Sequence, residues 1–433
     1  MTASTDVLVI GAGPTGLGAA AALTERGVDH LVVESGDTPG GMARSVHDEA
    51  GFTWDLGGHV IHSHFDSFDK AIAASGVTMR GVRRRGRVWM NGVMHLTPIQ
   101  KYLTQLPTDL APEAPAANLA EYYRNQFGAD LAARFLVPHT TKMWAHPLEN
   151  VDHAWTSLRG GSDRRNVPAI GLAADQPPPV EEFFPYPEGG TGALWTAVHN
   201  RICDTSRFRF GTDVVSLDLR ARTATLDGGE VVSFRSCVST APLTTLLSWI
   251  GLTPATTDGP SLAASSVYAI GFGFRGDPPP LLADTTYVAS PDPGVPWYRA
   301  TVLSNYDSAN AGPGRWNVLC EVSTSVHRPT ELESAVAGCR ESIRRLGADL
   351  CAIEAVWTEL VPMGYPVPTL GRDAILRRLD DQLRAHGIHS RGRFGGWRYE
   401  SCNQDYSYAQ GIEAVANIIN GDPENVYWHP ERF

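Results

Sequence analysis

Apolar and polar positions follow three rhythms along this chain. From Asp6 to Ile10, DVLVI is a continuous apolar run, the pattern of a parallel strand buried on both faces. GAGPTGLGAAAALTERG then predicts a tight turn and a helix, and HLVVE a second strand ending at Glu34. Period-two alternation governs TDVVSLDLRARTATLDGGEVVSFRSCVSTAP, a β-meander folded around Asp227-Gly228-Gly229. A shorter hairpin is predicted over 83–98, turning at Asn91-Gly92. Leu, Ala and aromatic residues recur at helical spacing over 100–160, as in an inserted all-α unit. The stretch QPPPVEEFFPYPEGG (176–190) reads as a proline-rich connection with no regular element. GGTGALWTAVHNRI returns to a glycine turn and helix. Strands dominate 265–325 and 352–362, with a helix at 329–347, and a last amphipathic helix starts near Tyr408. No repeat or low-complexity tract interrupts this plan.

Composition narrows the class. The chain has 433 residues, 42% hydrophobic and 19% charged, enough core for two or three domains. A net charge of −11 argues against nucleic acid or an anionic membrane surface as partner. The six cysteines form no CxxC pair, as in a reduced, cytoplasmic protein. The start MTASTDVLVIGAG lacks a basic leader region, and no apolar run reaches the length of a membrane span, so neither a secretion signal nor a span is expected.

The first chemistry-bearing motif is the glycine turn. Gly11, Gly13 and Gly16 form GxGxxG between strand and helix, where backbone N–H groups can approach a pyrophosphate. Glu34 ends the second strand, where an acid should hold a ribose hydroxyl. The plain alternative is a bare strand-to-helix turn. A second glycine pair follows in SGDTPGGMARS. That extension resembles the flavoprotein superfamily that includes the amine oxidases, in which Gly40, Gly41 and Arg44 would lie along the pyrophosphate of FAD.

A denser cluster lies at GFTWDLGGHVIHSHFDSFD (51–69), with His59, His62 and His64 after two glycines. A metal site needs ligands converging from the right directions, and spacing i, i+3, i+5 on one element does not supply them. No metal is expected.

Several segments together resemble the UDP-galactopyranose mutase family, most closely its eukaryotic-type branch. They are GGMARSVHDEAGFTWDLGGHVIHSHFDSF, FPYPEGGTGALW, WYRATVLSNY, GYPVPTL and SRGRFGGWRYESCNQDYSYAQGIEAV, in order over nearly the whole chain. The resemblance implies an α/β fold: a doubly wound, Rossmann-like FAD-binding domain with an inserted helical domain and an antiparallel β-sheet substrate domain. Residues 1–82, 188–245 and 386–433 would form the first, 100–165 the second, and 83–99, 166–187 and 246–385 the third. It also implies a reaction without net redox change. Reduced flavin N5 attacks the anomeric carbon of a nucleotide-diphosphate sugar, the diphosphate leaves, and the sugar recloses as a furanose before the diphosphate returns. NADPH or NADH is the implied reductant, and a homo-oligomer the implied assembly, of no fixed copy number.

Carried over residue by residue, the resemblance places Arg299 and Arg159 on the diphosphate, with Tyr365, Tyr399 and Asn403 at the same end. A surface arginine and a core tyrosine are the plain alternatives. Gly57 and Gly58 would run past the isoalloxazine, with His59 at its face near N5, and His62 and His64 nearby. Arg393 would lie near flavin and substrate, and Gln404, Asp405 and Ser407 at the cofactor side of the last helix. Arg84 aligns with a family arginine near the flavin, although RRRGR also reads as a solvated face. Gln100, Phe135 and Trp144 match the nucleotide pocket. Departures are Ala289 where a tyrosine is expected, with Tyr287 two residues earlier, His62 where an aromatic is usual, Glu181 for an asparagine, and Thr97, Ile99 and Thr140 for two aromatics and an asparagine. They put the sugar and the base in question. The competing reading is an amine-oxidase-like FAD oxidoreductase; a flavin-free binding protein is a third.

Overall fold

A computed structural model of the chain describes residues 2–99, 115–158, 183–252 and 262–433. The first strand, Thr2–Ile10, lies in the middle of a seven-stranded sheet. It pairs in parallel with Val231–Ser239 on one side and His30–Val33 on the other, and Phe208–Arg209 extends the latter edge. Strand Val231–Ser239 has two neighbours on its far edge. Its first half takes the meander strand Thr223–Leu226, and its end takes Ile388–Ser390 in parallel, Cys237 against Ile388.

Helices cover both faces of this sheet. Pro14–Glu25, Asp66–Ser75, Thr191–Ile202 and Gln404–Asn420 bury Leu17, Leu23, Phe68, Leu194, Trp195, Tyr408 and Val415 on one face. Leu243–Trp249 and Arg372–Arg384 bury Leu246, Leu376 and Leu383 on the other, against Leu8 and Ile10. The sheet is therefore doubly wound, as expected. The first and last helices cross at glycine contact: a Cβ on Gly18 would sit 2.2 Å from Tyr408 O, and one on Gly411 2.0 Å from Thr15 O. Only glycine permits that approach. It sets the second turn of the last helix directly on the first turns of the helix that follows the glycine turn.

The second sheet also has seven strands, in the order Ile353–Pro366, Ala264–Arg275, Arg315–Thr324, Arg299–Thr301, Tyr287–Ala289, Gly86–Met90 and Val93–Leu96. It is antiparallel except where Tyr287–Ala289 meets Gly86–Met90 in parallel. The hairpin turns at Asn91 and Gly92, both left-handed with φ 53° and 78°. The helical unit has Leu119–Phe127 and Val137–Trp144, with a π-helical turn Ala132–Leu136 between them. Residues 100–114, also expected to be helical, lie outside the described residues.

Two expectations change. Phe183–Pro187, expected to be irregular, is a strand paired antiparallel with Met79–Arg83. A two-stranded ribbon has a free edge, where a proline's missing N–H costs no ladder bond. The last helix starts at Gln404, four residues before the apolar pattern shows it. Its first turns carry buried Asp405, Ser407 and Gln410, which hide the apolar rhythm. Among the described residues no helix is long and apolar enough to cross a membrane, and no group of three or more metal-ligating side chains converges.

Candidate active site

The GGH turn at 57–59 packs against two strands of the second sheet, those carrying Arg299 and Glu321. Arg299 opens its strand and stands opposite Glu321 in the sheet register. Its Nε and Nη2 both donate to the Glu321 carboxylate, Nη2 at 2.7 Å from Oε1. Burial alone would depress the arginine, but Glu321 overrides it and holds the guanidinium protonated. Burial likewise works against the Glu321 charge, and Arg299 pulls its carboxyl below the usual range. Glu321 is 3% exposed and Arg299 27%, so the pair is open on the arginine side.

Glu321 organises more than one partner. Tyr298 Oη donates to its Oε1 at 2.8 Å, and Tyr298 and Tyr365 share a hydroxyl contact of 3.0 Å. Gly58 N donates to Oε2 at 3.3 Å. The GGH backbone thus hangs on the same carboxylate that orients the arginine. A Cβ on Gly58 would lie 2.3 Å from Thr301 Oγ1 and 3.2 Å from Arg299 Nε, so glycine is required there by space. His59 follows, its Nδ1 buried without a partner among the described residues. Burial lowers its pKa, against the pull of Asp55 and Glu321, and favours the neutral ring.

Aromatic rings form one wall. Tyr399 meets Trp144 at 4.6 Å and Trp155 at 5.2 Å, edge to face, and Tyr365 lies 5.9 Å away. Arg398 and Glu400, on either side of Tyr399, are bound to one another at 3.0 Å, and Arg372 takes Glu400 at 2.6 Å. That ionic frame fixes the backbone carrying Tyr399. Arg393 stacks over Tyr365 at 4.9 Å and donates to Gly364 O. Asn403 stands at the N-cap position of the last helix, Gln404 accepts from Trp195 Nε1 at 2.6 Å, and Asp405 pairs with His64 at 2.7 Å. Ser407 is buried one turn further.

Other sequence candidates spread out. Phe135, Trp144, Ile99 and Ala289 share one apolar cluster with Tyr399, with Tyr365 packed against it. Thr140 is buried there and its hydroxyl reaches Tyr123. The Tyr287 hydroxyl meets Thr97 Oγ1 at 3.2 Å. His62 and Arg84 are exposed. Gln100, Arg159 and Glu181 lie outside the described residues. Sequence reasoning missed Glu321, Tyr298 and Glu359. A single acid inside the apolar run RWNVLCEVST was the available signal, because a buried carboxylate needs a partner.

The residues at the carboxyl ends of the parallel strands fit a dinucleotide. A Cβ on Gly16 would sit 1.8 Å from Gly11 O, and one on Gly41 3.2 Å from Gly13 Cα. The two glycine loops therefore nest with no side chain between them. Gly40 N donates to Ala12 O at 2.8 Å and fastens one loop to the other. Glu34 accepts from Ala12 N at 2.6 Å and Gly36 N at 2.8 Å, which aims its carboxylate at the crevice edge. Arg44 holds Gly41 O at 3.1 Å and Glu359 at 2.6 Å and ties this crevice to the second sheet. Ser239 Oγ and Asp405 Oδ1 are buried without partners among the described residues, polar atoms that a bound cofactor could satisfy.

The comparisons agree with that geometry. A family model described as an NAD(P)-binding Rossmann-like domain matches residues 9–72. A crystal structure of reduced UDP-galactopyranose mutase is 32% identical over 99% of this chain and 97% of that one, with a TM-score of 0.89. A putative protoporphyrinogen oxidase from Exiguobacterium sp. 255-15 shares 15% identity over 96% of this chain and 99% of its own, TM-score 0.73. A putrescine oxidase bound to putrescine shares 16% over 97% and 100%, TM-score 0.66. The last two show a common fold alone.

Proposed function

The chain belongs to the UDP-galactopyranose mutase family, and we propose from that premise that it interconverts the pyranose and furanose forms of a nucleotide-diphosphate sugar. UDP-galactose or a related sugar nucleotide is the substrate, and FAD, active when reduced by NADPH or NADH, is the cofactor. The observation that carries the reading is the half-open Arg299 guanidinium, fixed from behind by Glu321 beside the GGH turn and the tyrosine hydroxyls. An enzyme that only removes hydride from an amine has no use for a preset cation there.

Reduced FAD would supply the electron pair that displaces the diphosphate from the anomeric carbon. Gly11, Gly13, Gly16, Gly40 and Gly41 would hold its pyrophosphate, Glu34 a ribose hydroxyl, and Arg393, Gln404, Asp405 and Ser407 its far end. Gly57 and Gly58 give the ring close backbone access, and neutral His59 adds no competing charge beside it. Arg299 takes the leaving diphosphate, with Tyr365, Tyr399 and Asn403 donating to its oxygens and Arg159 as second cation. Charge develops on that group as the bond breaks, and donors already in place stabilise it without reorganising. Phe135, Trp144 and Gln100 would face the base.

The test is product chromatography. Purified protein, chemically reduced without oxygen, is incubated with UDP-galactofuranose beside an oxidised control. A pyranose product only in the reduced sample supports the reading. No product from any nucleotide sugar, with flavin bound and reducible and oxygen consumed on an amine, would give the oxidoreductase reading its place.

A further inference from the structure

We propose that Lys142 and His139 are positioning residues that set Arg299 by clamping the hairpin that carries it, an inference that rests on the mutase reading for what Arg299 holds. Arg299 pairs with Ala289 across the hairpin. The residues just beyond that pair are Ser290 and Tyr298, and Ser290 N donates to Tyr298 O at 3.3 Å. Both are gripped from one helix, Val137–Trp144. His139 Nε2 donates to Tyr298 O at 3.2 Å. Lys142 Nζ donates to Ser290 O at 2.8 Å and Asp292 O at 3.0 Å.

The grip extends to the strand of Glu321. Ser323 Oγ donates to Met143 O at 2.7 Å, and Ser325 Oγ donates to Ala145 O. One helix end therefore holds both strands of the Arg299–Glu321 pair while its Trp144 ring contacts Tyr399. A lysine only 6% exposed is a costly way to fill space. Its burial, with Arg328 adding and Asp292 opposing, pushes the ammonium down to about 7. A methionine would pack there at less cost, so the amine is kept for its two carbonyl bonds.

The experiment is a double-mutant cycle read by calorimetric binding of UDP to the flavin-loaded enzyme. Lys142→Met should weaken UDP about tenfold in the parent and less than about twofold in an Arg299→Ala background, the non-additivity of a residue acting through another. His139→Phe should repeat that loss, and His139→Gln, which keeps a donor, should not. This histidine pair decides the matter if Lys142→Met does not fold. Equal losses in both backgrounds, or no loss in either, overturn the proposal. Absence of pyranose–furanose turnover by the parent counts against the mutase reading alone, because the cycle is read without turnover.

Discussion

Arg299 and Glu321 face one another across adjacent strands, two guanidinium nitrogens on one carboxylate, with the arginine 27% exposed and the acid 3%. The acid is spent on orientation and the arginine on whatever lies in front of it. Arg299→Ala should therefore lower turnover by about two orders of magnitude, the usual cost of one preset donor at a developing charge. Flavin absorbance should be retained, since the glycine loops at 11–16 and 40–41 and Glu34 are held by bonds among themselves and not by this pair. Turnover like the parent's would remove Arg299 from the diphosphate. Glu321→Gln keeps the shape and removes the charge, so stability should fall by about 3–5 kcal/mol as for a broken buried pair. Urea unfolding reads this directly.

Gly58 is required by space rather than by backbone angle. Gly58→Ala puts a Cβ 2.3 Å from Thr301 Oγ1. The GGH turn must then move away from Glu321, and activity should fall at least about tenfold for a displacement of this kind. Thr301→Ala removes the atom that clashes first and should recover part of the loss. If the double variant is no better than Gly58→Ala alone, the turn is held by something other than this contact.

Tyr399 separates ring from hydroxyl. Its ring is fixed edge to face on Trp144 and Trp155, and its backbone by the neighbouring Arg398 and Glu400. Tyr399→Phe keeps all of that. It should lower kcat about tenfold, the order of one donor lost from a charged transition state, with at most a few degrees' change in melting temperature. A large drop in stability with unchanged kcat would assign the hydroxyl to the core.

What the sequence made legible was local. The strand, glycine turn and helix up to Glu34, the turn at Asn91-Gly92 and the meander at Asp227-Gly228-Gly229 each rest on chemistry within a few residues. The pairing of Arg299 with Glu321 depends on sheet register between strands, which no short pattern encodes. The same holds for Ile388–Ser390 joining the first sheet and for Phe183–Pro187 pairing with Met79–Arg83. At the start of the last helix, polar residues buried toward the crevice broke the apolar rhythm. There function overrode the pattern that would have marked the helix.

Lys142 gives the fold's stability a pH dependence. Its ammonium is pushed from the usual 10.5 down to about 7 by burial first and Arg328 second, against Asp292 and Cys339. The unfolded chain keeps its proton up to about 10, so between those values the unfolded state binds more protons than the folded one. Stability contributed by this site then rises with pH through that window, by roughly 1.4 kcal/mol per unit at most. Below about 7 the full penalty is present, because both states are protonated and only one is desolvated. Lys142→Met removes the titration and also the bonds to Ser290 O and Asp292 O, the latter as a constant offset. The difference in unfolding free energy between Lys142→Met and the parent should therefore be flat from pH 5 to about 6.5 and shift in the parent's favour from about 7 to 9. Urea midpoints at half-unit steps measure it. A difference that stays flat across the whole range would mean that the lysine remains protonated in the fold.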